Sequence, residues 1–74
     1  MAMTLKEALS KGHEVSLTDE EIKATHGDPI AVNPDCSSMD ENQVCAEYKC
    51  VEGWKIIKYC DAAGGCTRQV RVPC

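Results

Sequence analysis

The 74-residue chain carries a net charge of −4, one tryptophan, two tyrosines and no phenylalanine, which allows one small domain without a large aromatic core. No apolar run approaches the roughly 18 residues of a membrane span, and the first residues lack the basic stretch and apolar core of a standard secretory signal peptide. The acidic excess lies in residues 1–35, with seven acids against three lysines, while residues 36–74 hold five of each; this balance argues against nucleic acid as a partner.

Residues 1–27 are written in helix punctuation. Thr4 and Glu7 make a capping box, in which the hydroxyl accepts from the Glu7 N–H and the carboxylate accepts from the Thr4 N–H. It predicts a short helix through about Lys11, stopped at Gly12. Thr18 and Glu21 make a second box, with Leu17 and Ile22 as the hydrophobic staple across it. Asp19, Glu20 and Glu21 fill the first turn, where the helix dipole favours negative charge. Gly27 ends this helix. Both helices are short enough to be marginal alone, and their thin apolar stripes, Leu5/Ala8/Leu9 and Leu17/Ile22, each need something to dock on.

Residues 28–35 (DPIAVNPD) read as a linker, because two prolines oppose helix and favour an extended path. Within it Ile30 and Val32 alternate and suit a sheet edge.

All six cysteines, Cys36, Cys45, Cys50, Cys60, Cys66 and Cys74, stand in residues 36–74. Below roughly 40 residues a domain usually needs disulfides, a metal or a partner to fold. An even cysteine count with no C-x-x-C pair points to three disulfides rather than a zinc or redox site. Residues 44–51 and 54–60 read as strands around Glu52-Gly53, a two-residue hairpin turn. That register sets Cys45 opposite Cys60, Glu47 opposite Lys58 and Tyr48 opposite Ile57. A second hairpin joins 54–60 to 66–72 through residues 61–65, and two registers stay open there. One puts Trp54, Ile56, Val70 and Val72 on one face; a one-residue slip pairs Ile57 with Val70 instead. A rival reading runs a helix from Ser38, capped with Glu41, toward Cys50. The expected fold is a small disulfide-rich α+β domain: short N-terminal helices (1–27), a proline-containing linker (28–35), then a cystine-stapled three-stranded antiparallel β-meander (36–74).

The spacing C-x8-C-x4-C-x9-C-x5-C-x7-C resembles the β-defensin pattern over its first five cysteines. The family's second and fourth cysteines pair, which here implies Cys45–Cys60, the pair that the hairpin register also sets face to face. The same resemblance implies Cys36–Cys66 and Cys50–Cys74. The family ends in adjacent cysteines and is strongly cationic; this chain separates Cys66 from Cys74 and is acidic. The stretch LTDEEI (17–22), followed by His26-Gly27, resembles the leader segments of bacterial ribosomally made peptide precursors, whose acidic helices end in Gly-Gly or Gly-Ala. In that resemblance Leu17, Asp19, Glu20, Glu21 and Ile22 are read by export or processing machinery. An ordinary structural helix accounts for the same residues.

Two functions are therefore expected. The first is a cytoplasmic precursor of a small cysteine-rich effector peptide, antimicrobial in the manner of a bacteriocin or defensin and secreted after processing. The alternative is a cysteine-rich protein-binding module, an inhibitor or small subunit, whose first half docks permanently. Either would act through the 53–72 hairpin, where Trp54, Lys55, Lys58, Tyr59, Arg68 and Arg71 meet an anionic membrane or a protein target. Trp54 reads first as core and otherwise as an exposed anchor. No enzyme, cofactor or metal is expected: His13 and His26 are isolated, paired cysteines are inert, and no two carboxylates are set in one apolar pocket. Ser37, Ser38 and Thr67 lie near cysteines, so thioether cross-links are an alternative to some of the disulfides.

Overall fold

A computed structural model of the chain describes residues 4–32, 44–60, 65–66 and 68–74. Both capping boxes form at the expected residues. Helix α1 (Leu5–Lys11) starts from Thr4 and α2 (Asp19–His26) from Thr18; each hydroxyl accepts from the glutamate N–H and each glutamate carboxylate accepts from the cap N–H. The strands are β1 (His13–Val15), β2 (Ala31–Val32), β3 (Val44–Glu47), β4 (Trp54–Tyr59) and β5 (Arg68–Pro73). They form one antiparallel sheet in the order β1-β5-β4-β3-β2.

The class is the expected small disulfide-rich α+β, but among the described residues the sheet has five strands instead of three. Both added strands are edges. Strand β1 pairs with β5, Glu14 lying opposite Val70, and β2 pairs with β3, Ala31 lying opposite Glu47. The linker residues thus add to a sheet edge, as the Ile30/Val32 alternation suggests. Strand β1 carries no comparable pattern, since three residues are too few for alternation to register. The expected helix start at Ser38 lies outside the described residues, but 44–47, along its path, is strand.

Glu52 and Gly53 have φ of 56° and 84°, so both central turn residues are left-handed, as a type I′ hairpin requires. Val51 bridges Trp54 across that turn. Beyond it the register moves by one: the Tyr48 N–H donates to the Ile56 carbonyl at 2.9 Å, and Glu47 stands opposite Ile57 rather than Lys58. A one-residue shift exchanges the two faces of a strand. Here it turns Ala46 and Tyr48 toward Ile56 and Ile22 in one apolar cluster. A second irregularity between Val44 and Ala46 takes Cys45 out of the position opposite Cys60.

Between β4 and β5 the slipped register is the one adopted, with Ile57 opposite Val70 and Trp54 opposite Pro73. It gives each helix its own apolar floor. Ile57, Tyr59, Val70 and Val72 pack with Leu5 and Ala8 of α1, while Ile56, Ala46 and Tyr48 pack with Ile22 of α2 on the other face. Complete burial of Ile22 is worth roughly 1.5–3 kcal/mol, more than its short helix supplies by itself. Leu9, placed on the α1 stripe from sequence, is exposed. At Gly12 the chain leaves α1 against β5 so closely that an added Cβ would stand 1.8 Å from the Arg71 carbonyl oxygen.

Cys50 is bonded to Cys74, as expected, with Cα atoms 6.0 Å apart. Cys45 is bonded to Cys66 and not to Cys60. Cys60 is disulfide-bonded as well, and its Sγ lies 3.4 Å from that of Cys45. The expected Cys36–Cys66 bond falls partly outside the described residues, and Cys66 is held by Cys45. No described cysteine is free.

Candidate binding site

The pleat divides the basic hairpin that was expected to form one surface. From the register, Lys55, Tyr59 and Arg68 belong to the α1 face, and Trp54, Lys58 and Arg71 to the α2 face. Three of the four cations are paired. Lys55 Nζ lies 3.6 Å from Glu47 Oε2, Arg68 Nε donates to Glu14 Oε2 at 3.3 Å, and Lys58 pairs with Asp19 in the first turn of α2. Glu14 and Asp19 come from the acidic first half. Tyr59 is fully buried, and its phenol donates to the Thr4 carbonyl at 3.4 Å. Burial, then the charges of Glu47 and Glu7, push its pKa up to about 12.

The residues singled out for leader recognition do not form a free face either. Ile22 is buried and Leu17 packs against its cluster; Asp19 holds Lys58, and Glu21 closes the capping box. Glu20 is exposed.

Arg71 differs from the other cations. It pairs with no carboxylate among the described residues and instead lies over Trp54, its Cζ 4.6 Å from the ring centroid. His13 meets the same indole edge-on, with ring centroids 6.3 Å apart at 65°. Trp54 is accordingly half-buried, an intermediate between core and exposed anchor.

Beside this row, between α2 and the sheet, is a cleft of about 330 Å³. Its apolar lining is Val15, Leu17, Ile22 and Ile56, and its polar lining is Glu21, Thr25, His26 and Arg71. Two contacts fix α2 as one wall. The Gln69 carboxamide, reaching from β5, bonds both the N–H and the carbonyl of Leu17. The buried His26 ring donates from Nδ1 to the Lys49 carbonyl at 3.1 Å, which defines its tautomer because a carbonyl only accepts. The two histidines are thus engaged separately, one on an indole and one on a backbone carbonyl. Among the described residues no group of three or more His, Cys, Asp and Glu is placed to hold a metal ion.

Of the cleft residues, sequence reasoning singled out Leu17, Glu21, Ile22 and Arg71. His26 was legible as the next residue of the Ile22 stripe, four positions on. Gln69 carried no signal, since its partner is 52 positions away. The chain matches no family model, and no curated protein or solved structure is similar to it at a significant level.

Proposed function

We propose that this chain is a small cystine-braced protein-binding module, at home in an oxidising compartment, with its first half a permanent part of the fold. Its recognition face is the α2 side of the sheet, where His13, Trp54 and Arg71 form a row beside the cleft. The observation that carries this reading is the burial of Leu5 and Ile22 together with the pairing of β1 on β5. A leader destined for removal has no need to supply core and an edge strand. Disulfide bonding of every described cysteine supports the compartment. Amide exchange tests the reading: α1 and α2 should be protected as well as β4 and β5. Exchange throughout residues 5–27 at unfolded rates would remove it.

The precursor of a secreted antimicrobial peptide is favoured by a separate observation. Asp19 and Glu14 neutralise Lys58 and Arg68, as a first half that masks a membrane-seeking hairpin would do. Replacing both acids in the full chain (Asp19→Asn with Glu14→Gln) should then create binding to anionic vesicles that salt abolishes. No binding, or equal binding to neutral vesicles, would count against it.

A further inference from the structure

We infer that the cleft between α2 and the sheet takes a free α-amino acid with a compact apolar side chain. This goes beyond the protein-binding reading, although it rests, as that reading does, on α2 being a permanent part of the fold. Its lining carries both charges that a zwitterion needs. On the sheet wall, the Arg71 guanidinium lies 4.6 Å over Trp54. Stacking of this kind leaves the in-plane N–H fork available, and Arg71 pairs with no carboxylate among the described residues. The fork matches a carboxylate through two parallel hydrogen bonds.

The α2 wall supplies acceptors. Glu21 Oε1 accepts from the Thr18 N–H at 3.1 Å, and its other carboxylate oxygen has no partner among the described residues. One turn further, the Thr25 hydroxyl donates to the Glu21 carbonyl at 3.2 Å, which leaves its lone pairs as acceptors. Nδ1 of His26 faces the Lys49 carbonyl, so Nε2 is the acceptor whenever the ring carries one proton, and that nitrogen too lacks a partner among the described residues. Three residues with acceptor groups, Glu21, Thr25 and His26, thus line the cleft from α2, as many as the N–H bonds of an ammonium group.

Val15, Leu17, Ile22 and Ile56 provide the apolar surface for the side chain. A cleft of about 330 Å³ stands at the low end of the roughly 300–1,000 Å³ of ligand pockets and has room for a single amino acid. An apolar acid without an amine, or a peptide C-terminus, would leave the Glu21 carboxylate without a counter-charge.

Titrating the oxidised full-length chain with L-leucine tests this. Trp54 is the only tryptophan, so its fluorescence should change saturably, at ~1 mM ligand or below, while Ile22 and Ile56 methyl signals shift. Leucinamide and N-acetyl-leucine each lack one charge and should bind about tenfold more weakly. Arg71→Gln should weaken leucine to the level of leucinamide and leave leucinamide unchanged. Glu21→Gln, which preserves the capping box, should do the same relative to N-acetyl-leucine. Loss of structure does not produce that crossed pattern. N-acetyl-leucine binding as tightly as leucine would overturn the zwitterion, and no saturable change would overturn the site. Amide exchange of α2 separates the failures: a protected α2 with no leucine response sinks the amino-acid site alone, whereas an unprotected α2 sinks the binding-module reading with it.

Discussion

The side-chain amide of Gln69 makes a two-point hydrogen bond with the backbone of Leu17, accepting from its N–H at 2.9 Å and donating to its carbonyl at 2.7 Å. A buried side chain on β5 therefore holds the backbone where the chain leaves β1 for α2. The contact holds Leu17 and the start of α2 on the sheet, and with them one wall of the cleft.

Gln69→Ala removes both bonds and strands part-buried backbone groups of Leu17. The expected loss is about 2–4 kcal/mol, from two bonds and the desolvation left uncompensated. Urea unfolding measures the total, and amide exchange locates it. Exchange should quicken first in α2, while β4 and β5 follow global stability; a uniform change would show that Gln69 does not hold α2 in particular.

Gly12 is irreplaceable for a different reason. Its φ of −135° is open to any residue, but a Cβ there would meet the Arg71 carbonyl. Gly12→Ala should cost about 2–3 kcal/mol or more through forced separation of α1 from β5. At Gly53, where φ is 84° and nothing lies within 4 Å of an added Cβ, alanine should cost only about 1 kcal/mol of backbone strain. Thermal unfolding of the two variants should rank them in that order. A tolerated Gly12→Ala would mean that α1 does not approach β5 as described.

The cystine framework is testable by peptide mapping of the oxidised chain. Linked peptides containing Cys45 with Cys66, and Cys50 with Cys74, are expected. A Cys45–Cys60 peptide would contradict the bond between Cys45 and Cys66. Replacing Cys50 and Cys74 together with alanine opens a loop of 24 residues and should cost roughly 3 kcal/mol in the chain-entropy model.

Tyr59 predicts a pH dependence. Its pKa is raised from 10.0 to about 12, so folding favours the neutral phenol. Stability from this group is fully present below pH 10, falls as pH rises toward 12 and is lost above that. The span corresponds to roughly 3 kcal/mol at most. Tyr59→Phe should flatten this part of the stability–pH curve; the two proteins differ in that group alone, so the difference isolates the phenol. In a Tyr48→Phe background the phenolate absorbance should rise near pH 12. A rise near pH 10 would place the Tyr59 ring in solvent.

Local chemistry was legible in the sequence wherever its partners lie within a few residues. Thr4/Glu7 and Thr18/Glu21 form their capping boxes because the groups are three positions apart, and Glu52-Gly53 turns because of its own dihedrals. The α+β class follows from helix caps in one half and alternating apolar residues with cysteines in the other. Long-range geometry was decided only by packing. The choice between pairing Ile57 with Val70 and placing Val70 beside Ile56 depends on α1 and α2 occupying opposite faces, and no single strand encodes that. The shift at Tyr48, the bulge at Cys45 and the bond of Cys45 to Cys66 were all invisible to cysteine spacing. The same pleat split the basic hairpin, paired Lys58 with Asp19 and Arg68 with Glu14, and left Arg71 on Trp54 beside a cleft lined by Val15, Leu17, residues of α2 and Ile56. Sequence determines what a residue does to its neighbours in the chain; which face it shares is settled when the sheet finds its register against the helices.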